Sequence, residues 1–233
     1  MTHIIDIETA PLPESELTEL LPKFDPSEVK VGNLKDPEKI NAKIAEAEAA
    51  TRKDFFENAA LDPLTGRVLA IGLMSEAGSF STIADDDEAA LLRRFWNFCQ
   101  LNAGRRRLIG FNIFLFDLPF LMRRSYKYRV DVPFNLRRGR YWSENLVDLR
   151  EAWQLGDRQA RGSLDTIAQF LGVGRMNGTG AQFAGLWQTD RPAAMCYLQN
   201  DLRLTLEVAK ALHVVSPGVS LCDPVGAEIP GLN

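Results

Sequence analysis

Residues 3–8, HIIDIE, place two carboxylates inside a segment that otherwise reads as a buried β-strand. Ile4, Ile5 and Ile7 are β-branched and favour extended backbone. Side chains alternate across a strand, so Asp6 and Glu8 point to the same side. Two like charges on one face of an apolar strand are costly unless something cationic sits between them. Either the rest of the chain provides for such a cation, or this is an edge strand with one solvated face.

The bulk of the chain narrows what the cation is. Its 233 residues are large for one domain and small for two well-separated ones. The net charge of −4 excludes a bulk polyanion binder. A nucleic-acid partner would need a local basic patch or metal ions. The basic runs at 104–107 and 136–140 are read either as phosphate-tracking patches or as solvated loops. Cys99, Cys196 and Cys222 are odd in number and widely spaced, which fits neither a disulfide framework nor a zinc site and agrees with a reducing cytoplasm. Cys196 is expected to be buried. The only histidines, His3 and His213, read as structural or surface residues, which argues against a His-rich metal site or a Ser-His-Asp triad. No run approaches about 18 apolar residues and no signal peptide is read, so a cytoplasmic location without a membrane partner is expected.

Periodicity places further strands at 67–74, 79–83 and 107–112. Helices are expected over 87–101, 117–128, 163–172 and 191–213. Ser163 serves as an N-cap, Gly172 as a stop, and Pro192 opens the last helix, whose stripe is Leu198, Leu202, Leu206, Ala209 and Leu212. Strands that alternate with helices indicate an α/β sheet domain. About 55 residues separate the first two strands, against a hairpin norm of about 2–5. Within them, 36–56 is strongly helical, with Ile40, Ile44, Ala47, Thr51 and Phe55 along one face, so 10–64 reads as a helical insertion. The domain is expected to span 1–215, with 216–233 a loosely attached tail.

Two more acidic positions complete a constellation. Asp117 follows the 107–112 strand in an apolar, aromatic run, and Tyr197 and Asp201 share a helical face at i, i+4. Asp6, Glu8, Asp117 and Asp201 therefore lie on or beside three core elements. Hard oxygen ligands without His or Cys favour Mg²⁺ or Mn²⁺. Two such ions about 3.5–4 Å apart would clamp both sides of a phosphodiester displacement.

In order, DIET, N-x-x-x-F-D and Y-x-x-x-D resemble the three motifs of the DEDD 3′–5′ exonucleases, on the ribonuclease H-like fold: a mixed central sheet flanked by helices. The chain looks most like the proofreading exonuclease domain of family B DNA polymerases and their stand-alone relatives. Cys196 stands where the alternative subtype has His, and Tyr197 four before Asp201 marks the tyrosine subtype. The resemblance implies that Asp6 bridges two metals, that Glu8 and Asp201 hold the one activating water, and that Asp117 helps to hold the other. Tyr197 would orient the water, since a phenol of pKa near 10 is a poor base at neutral pH. Thr9 and Asn112 would touch the terminal nucleotide, and Phe116 or Phe120 would stack on or wedge against a base, unless these rings belong to the core.

The expected activity is hydrolysis of single-stranded DNA from its 3′ end, releasing nucleoside 5′-monophosphates. The alternatives are the same chemistry on RNA, as in ribonuclease D-type enzymes, or a non-catalytic nucleic-acid-binding replication module. Replication or repair proteins are possible partners. The insertion departs from the family pattern and is expected to pack beside the site and restrict which 3′ ends enter. No polymerase domain is read in the 233 residues, so proofreading in cis is not expected.

Overall fold

The computed structural model describes residues 1–100, 106–133, 145–157, 159–178 and 180–216. Residues 104 and 105 of the first basic run, the whole 136–140 run and the tail beyond 216 lie outside the described residues.

Strand β1 (Thr2–Pro11) is the centre of a five-stranded mixed sheet. β2 (Gly66–Ser75) pairs antiparallel on one side of it and β3 (Phe80–Ala84) pairs antiparallel beyond β2. β4 (Arg107–Gly110) and β5 (Leu146–Asp148) lie parallel on the other side, giving the order β3-β2-β1-β4-β5. The expected mixed α/β sheet is the one observed.

Strand alternation divides the apolar residues between two cores. Ile5, Ile7, Ile71 and Leu73 face α3 (Glu88–Gln100) and α4 (Asp117–Lys127). Ile4, Ala10, Ala70 and Met74 face α6 (Leu164–Leu171), α7 (Phe183–Thr189) and α8 (Arg191–Ala211). The caps follow local chemistry. Ser163 Oγ accepts from Thr166 N at 3.2 Å, and Gly172 ends α6 at φ 70°. Asp190 accepts from Ala193 N at 3.0 Å to open α8, with Pro192 in its first turn.

Between β1 and β2 run α1 (Glu14–Leu20), a short 3₁₀ turn, α2 (Pro37–Asn58) and a second 3₁₀ turn at Ala59–Leu61. α2 is capped by Asp36 but buries no residue fully. Of its expected stripe, Thr51 is exposed and the rest only partly covered. The reason is that the insertion forms a small core of its own: Leu12, Leu17 and Ala59, with Phe55 and Phe56 against it. α1, α7 and α5 (Leu149–Gln154) have seven, seven and six residues, too few for a periodic signal in the sequence.

One expectation fails on burial, and one choice left open by the sequence is narrowed. Cys196 is exposed, because α8 turns Ala194, Tyr197 and Leu198 to the sheet and leaves Cys196 outward. Phe120 is 1% exposed within the α3/α4 core, the alternative in which this ring belongs to the core. No described helix is long and apolar enough to cross a membrane.

One polar interaction ties the α3/α4 core together. Arg124 Nε and Nη2 donate to Glu88 Oε1 and Oε2 at 2.9 and 2.6 Å, both side chains buried. Glu88 Oε1 also accepts from Val68 N of β2, and Arg124 Nη1 donates to Pro63 O. The pair therefore joins α3, α4, β2 and the end of the insertion. Removing one partner strands a buried charge. Arg124→Ala should lower the unfolding free energy by about 3–5 kcal/mol in urea titration. A loss below about 1 kcal/mol would mean that the pair carries little of this junction.

Candidate active site

β1 outruns its parallel neighbour. Pairing with β4 stops at Ile4–Ile109, and beyond that point the backbone edge of β1 has no strand beside it. Asp117, at the start of α4, fills the gap: its Oδ1 accepts from Ile7 N at 3.2 Å. On the β2 side, Asp6 pairs with Gly72, and the register shifts between Glu8 and Thr9. Such irregularities bend strands and re-aim side chains.

Gly72 sets how close α8 can come. A Cβ there would lie 2.6 Å from Leu202 Cδ1 and 2.8 Å from Leu198 Cδ1. Without it α8 lies against the sheet directly beside Asp6, bringing Asp201 down to the carboxylates of β1. Asp6, Glu8 and Asp201 each offer an oxygen within 4.8 Å of the others. Glu8 and Asp201 are buried and Asp6 is partly buried. The set holds no His or Cys, and three hard oxygen donors suit Mg²⁺ or Mn²⁺. Asp117 lies outside this tight group and is buried on Ile7 N. Tyr197, one turn before Asp201, donates to its carboxylate. The Tyr197 ring rests on Phe183, with centroids 6.1 Å apart. On another side lies Gly178, at φ 115°, where a Cβ would come within 3.3 Å of Tyr197 Cε2.

Crowding four carboxylates here raises all their proton affinities. Asp6 is held well above the usual range by desolvation, then by Asp117 and Asp201. Glu8 is pushed up to about 10, again by burial first and then by Asp6. Burial lifts Asp117 to about 7 against the opposing Ile7 hydrogen bond. It lifts Asp201 to about 6 against the Tyr197 hydroxyl. Tyr197 is raised above its ordinary value by burial and then by Asp201, which keeps its phenol protonated. The four acids are brought together in a form that favours bound positive charge.

Asp6, Glu8, Thr9, Phe116, Tyr197 and Asp201 all line one cleft of about 510 Å³. Glu57, Ala60 and Leu61 of the insertion form another part of its wall. Asn112 is not brought in. It lies at φ 63° in a neighbouring depression with Asp148, and its Oδ1 accepts from Arg150 Nη1 at 3.0 Å. In this position Asn112 shapes the loop that carries Phe116. Asp148, not singled out as a site residue from the sequence, governs the same loop, accepting from Asn112 N at 2.8 Å and Phe114 N at 3.0 Å. Nothing in the sequence ties the VDL stretch at 147–149 to residue 112.

Residues 65–205 match the model of a family described as a predicted 3′–5′ exonuclease related to the exonuclease domain of PolB. The match runs from the turn before β2 into α8. It includes Asp117, Tyr197 and Asp201, and leaves Asp6, Glu8 and the insertion outside. The fold is similar to the family B DNA polymerase from the hyperthermophilic archaeon Pyrobaculum calidifontis, with a TM-score of 0.56 and 20% identity over 91% of this chain. The chain spans about a quarter of that polymerase, 24% of its length. The similarity carries the fold, a ribonuclease H-like α/β sheet. No curated protein matches the chain.

The raised carboxyls give a sign for pH dependence. The folded chain binds these protons more tightly than the unfolded chain, so the stability they contribute is full below about pH 4. It is lost as pH rises through about 6 for Asp201 and about 7 for Asp117. In chelator, the melting temperature should be higher at pH 5 than at pH 8, and Asp117→Asn should flatten the difference. A melting temperature that climbs steadily over that range would contradict the crowding.

Proposed function

Because the chain belongs to the family of predicted 3′–5′ exonucleases related to the exonuclease domain of PolB, we propose that it hydrolyses single-stranded DNA from the 3′ end and releases nucleoside 5′-monophosphates. The observation that carries this reading is the convergence of Asp6, Glu8 and Asp201 within 4.8 Å in a cleft wide enough for a nucleotide. DNA is favoured over RNA because both the family description and the similar structure concern DNA polymerases. We read residues 1–215 as one exonuclease domain of the tyrosine subtype, with 10–64 inserted.

Asp6, Glu8, Asp117 and Asp201 would hold two divalent ions, Mg²⁺ or Mn²⁺. Bound there, such ions lower the pKa of an attacking water and stabilise the leaving 3′ oxygen. The side chains do the positioning. Tyr197 keeps its proton and acts as a donor that orients, not as a base. Asp117 ties the strand that carries Asp6 and Glu8 to the start of α4 through Ile7 N. Thr9 and Phe116 face the terminal nucleotide. Phe116 is braced by Phe120 at a centroid distance of 5.6 Å, so its ring is a firm surface for a base.

The insertion restricts the entrance. Leu61 is 60% exposed although it lines the cleft. The turn that follows it is fixed by Gly66 N and Thr65 N on Asp62 O and by Thr65 Oγ1 on Ala59 O. A rigid apolar knob beside the carboxylates admits one strand and obstructs a paired end. Leu61→Ser should raise cleavage of a paired 3′ end relative to a single-stranded one. An unchanged ratio would remove the insertion from specificity.

The activity itself is tested with matched 5′-labelled DNA and RNA oligonucleotides in Mn²⁺ or Mg²⁺. The expected result is a ladder shortening from the 3′ end, faster on DNA. Asp6→Ala should lose more than about 100-fold, the upper range for outer-shell partners of a metal site. Tyr197→Phe should lose about 10- to 100-fold while still binding metal. Faster RNA cleavage would move the reading to the ribonuclease. Binding without digestion would leave a nucleic-acid-binding module. At about 100 times its Kd the cation should add about 2.7 kcal/mol of stability, or about 5–10 °C in Tm.

A further inference from the structure

Among the described residues Arg67 has no ion-pair partner. It lies on β2 opposite Ala10, two residues beyond Glu8 on β1. Its Nε is buried with no hydrogen-bond partner among the described residues. The Nε of Arg106 is likewise without a hydrogen-bond partner, but that guanidinium lies 4.0 Å over the Phe98 ring, and other arginines are paired. Arg124 is paired with Glu88, Arg150 is bonded to Asn112, Arg107 donates to Val214 O, and Arg191 lies 3.8 Å over the Trp187 ring while facing Asp86. A desolvated guanidinium nitrogen is costly to leave unpaired, so the unmatched position calls for an anion.

The surroundings name the anion. Arg67 lines a cavity of about 390 Å³ together with Ala10, Trp187 and Gln188. Pro11 and Ala184 line both this cavity and the carboxylate cleft, so the two adjoin. The side chains lining the cleft include four acids, Asp6, Glu8, Glu57 and Asp201, and no Lys or Arg among the described residues. A polyanionic strand leaving the cleft on this side passes the adjoining cavity that Arg67 lines. From Glu8 to Ala10 the strand advances about 7 Å, on the scale of neighbouring linkages in an extended strand.

Resting on the exonuclease reading above, we propose that Arg67 holds a backbone phosphodiester of the single strand upstream of the bond being cut. The guanidinium fork offers paired N–H donors to phosphate oxygens, and the contact is indifferent to base identity. It keeps the strand in the cleft after each nucleotide leaves. The released monophosphate does not use this subsite.

Binding is measured by fluorescence anisotropy of a labelled oligothymidylate in chelator, over a range of salt, with full-length chain. Arg67→Ala should weaken binding about tenfold at low salt and reduce the slope of log Kd against log salt by about 0.7, the value of one phosphate on a single strand. Arg67→Lys should keep the slope, which separates charge from shape if the alanine variant is poorly folded. One methylphosphonate among the three linkages nearest the 3′ end should weaken wild type by a similar factor and Arg67→Ala no further. Equal slopes in wild type and both variants, or a methylphosphonate cost that survives in Arg67→Ala, would overturn the proposal. So would weaker inhibition by thymidine 5′-monophosphate in the variant. Because binding is read without cleavage, a strand-binding but inactive chain would count against the exonuclease reading alone, and an active chain indifferent to Arg67 would count against this inference alone.

Discussion

The structure depends on holding carboxylates together that repel one another. Asp6 and Glu8 share a face of the central strand by the alternation of the strand itself, and Asp201 is brought within 4.8 Å by α8. Among the described residues no Lys or Arg lines the cleft to offset their charge. The scaffold supplies the force: two apolar cores, one on each face of the sheet, close around β1 and fix its side chains where they would otherwise separate. Burial then raises each carboxyl's proton affinity, so the arrangement is stabilised either by protons or by a cation. A site under this tension is typical of functional rather than purely structural acids.

The devices that impose it are small and specific. Gly72 removes the side chain that would keep α8 away. β4 stops early, which leaves Ile7 N free for Asp117. Asp148 gathers the backbone N–H groups of the 112–114 turn and so aims Phe116 at the cleft. The buried Arg124–Glu88 pair fixes the opposite core to the root of the insertion at Pro63, close to the turn that presents Leu61. Strand, helix and insertion thus reach the same cleft through separate supports.

Much of this was legible in the sequence, for physical reasons. The strand at 3–8 announces itself by β-branching, and its carboxylates by parity. The helix at 191–213 does so by a long apolar stripe and a proline at its start, which places Tyr197 and Asp201 on the sheet side without any structure. Other features were silent. Arg124, Glu88 and Arg67 look like ordinary surface charges until the fold buries them, since a single sequence does not say which charges pair across 36 residues. Phe120 and Phe116 are identical residues one turn apart, and only the packing of α4 separates core from cleft. Asn112 satisfied a motif, yet its backbone at φ 63° and its bond to Arg150 come from a loop closed by a distant aspartate. Cys196 sat beside buried neighbours in sequence but one helical step off their face.

The central claim is that the crowded acids form a metal-binding catalytic centre. Its most direct measurement is a Mn²⁺ titration followed by electron paramagnetic resonance, in the presence of thymidine 5′-monophosphate. The account predicts saturable binding of two Mn²⁺ ions per chain, spin-coupled to each other, with both the coupling and the tight binding lost in Asp6→Asn. Absence of saturable binding, or binding that Asp6→Asn leaves intact, would contradict it.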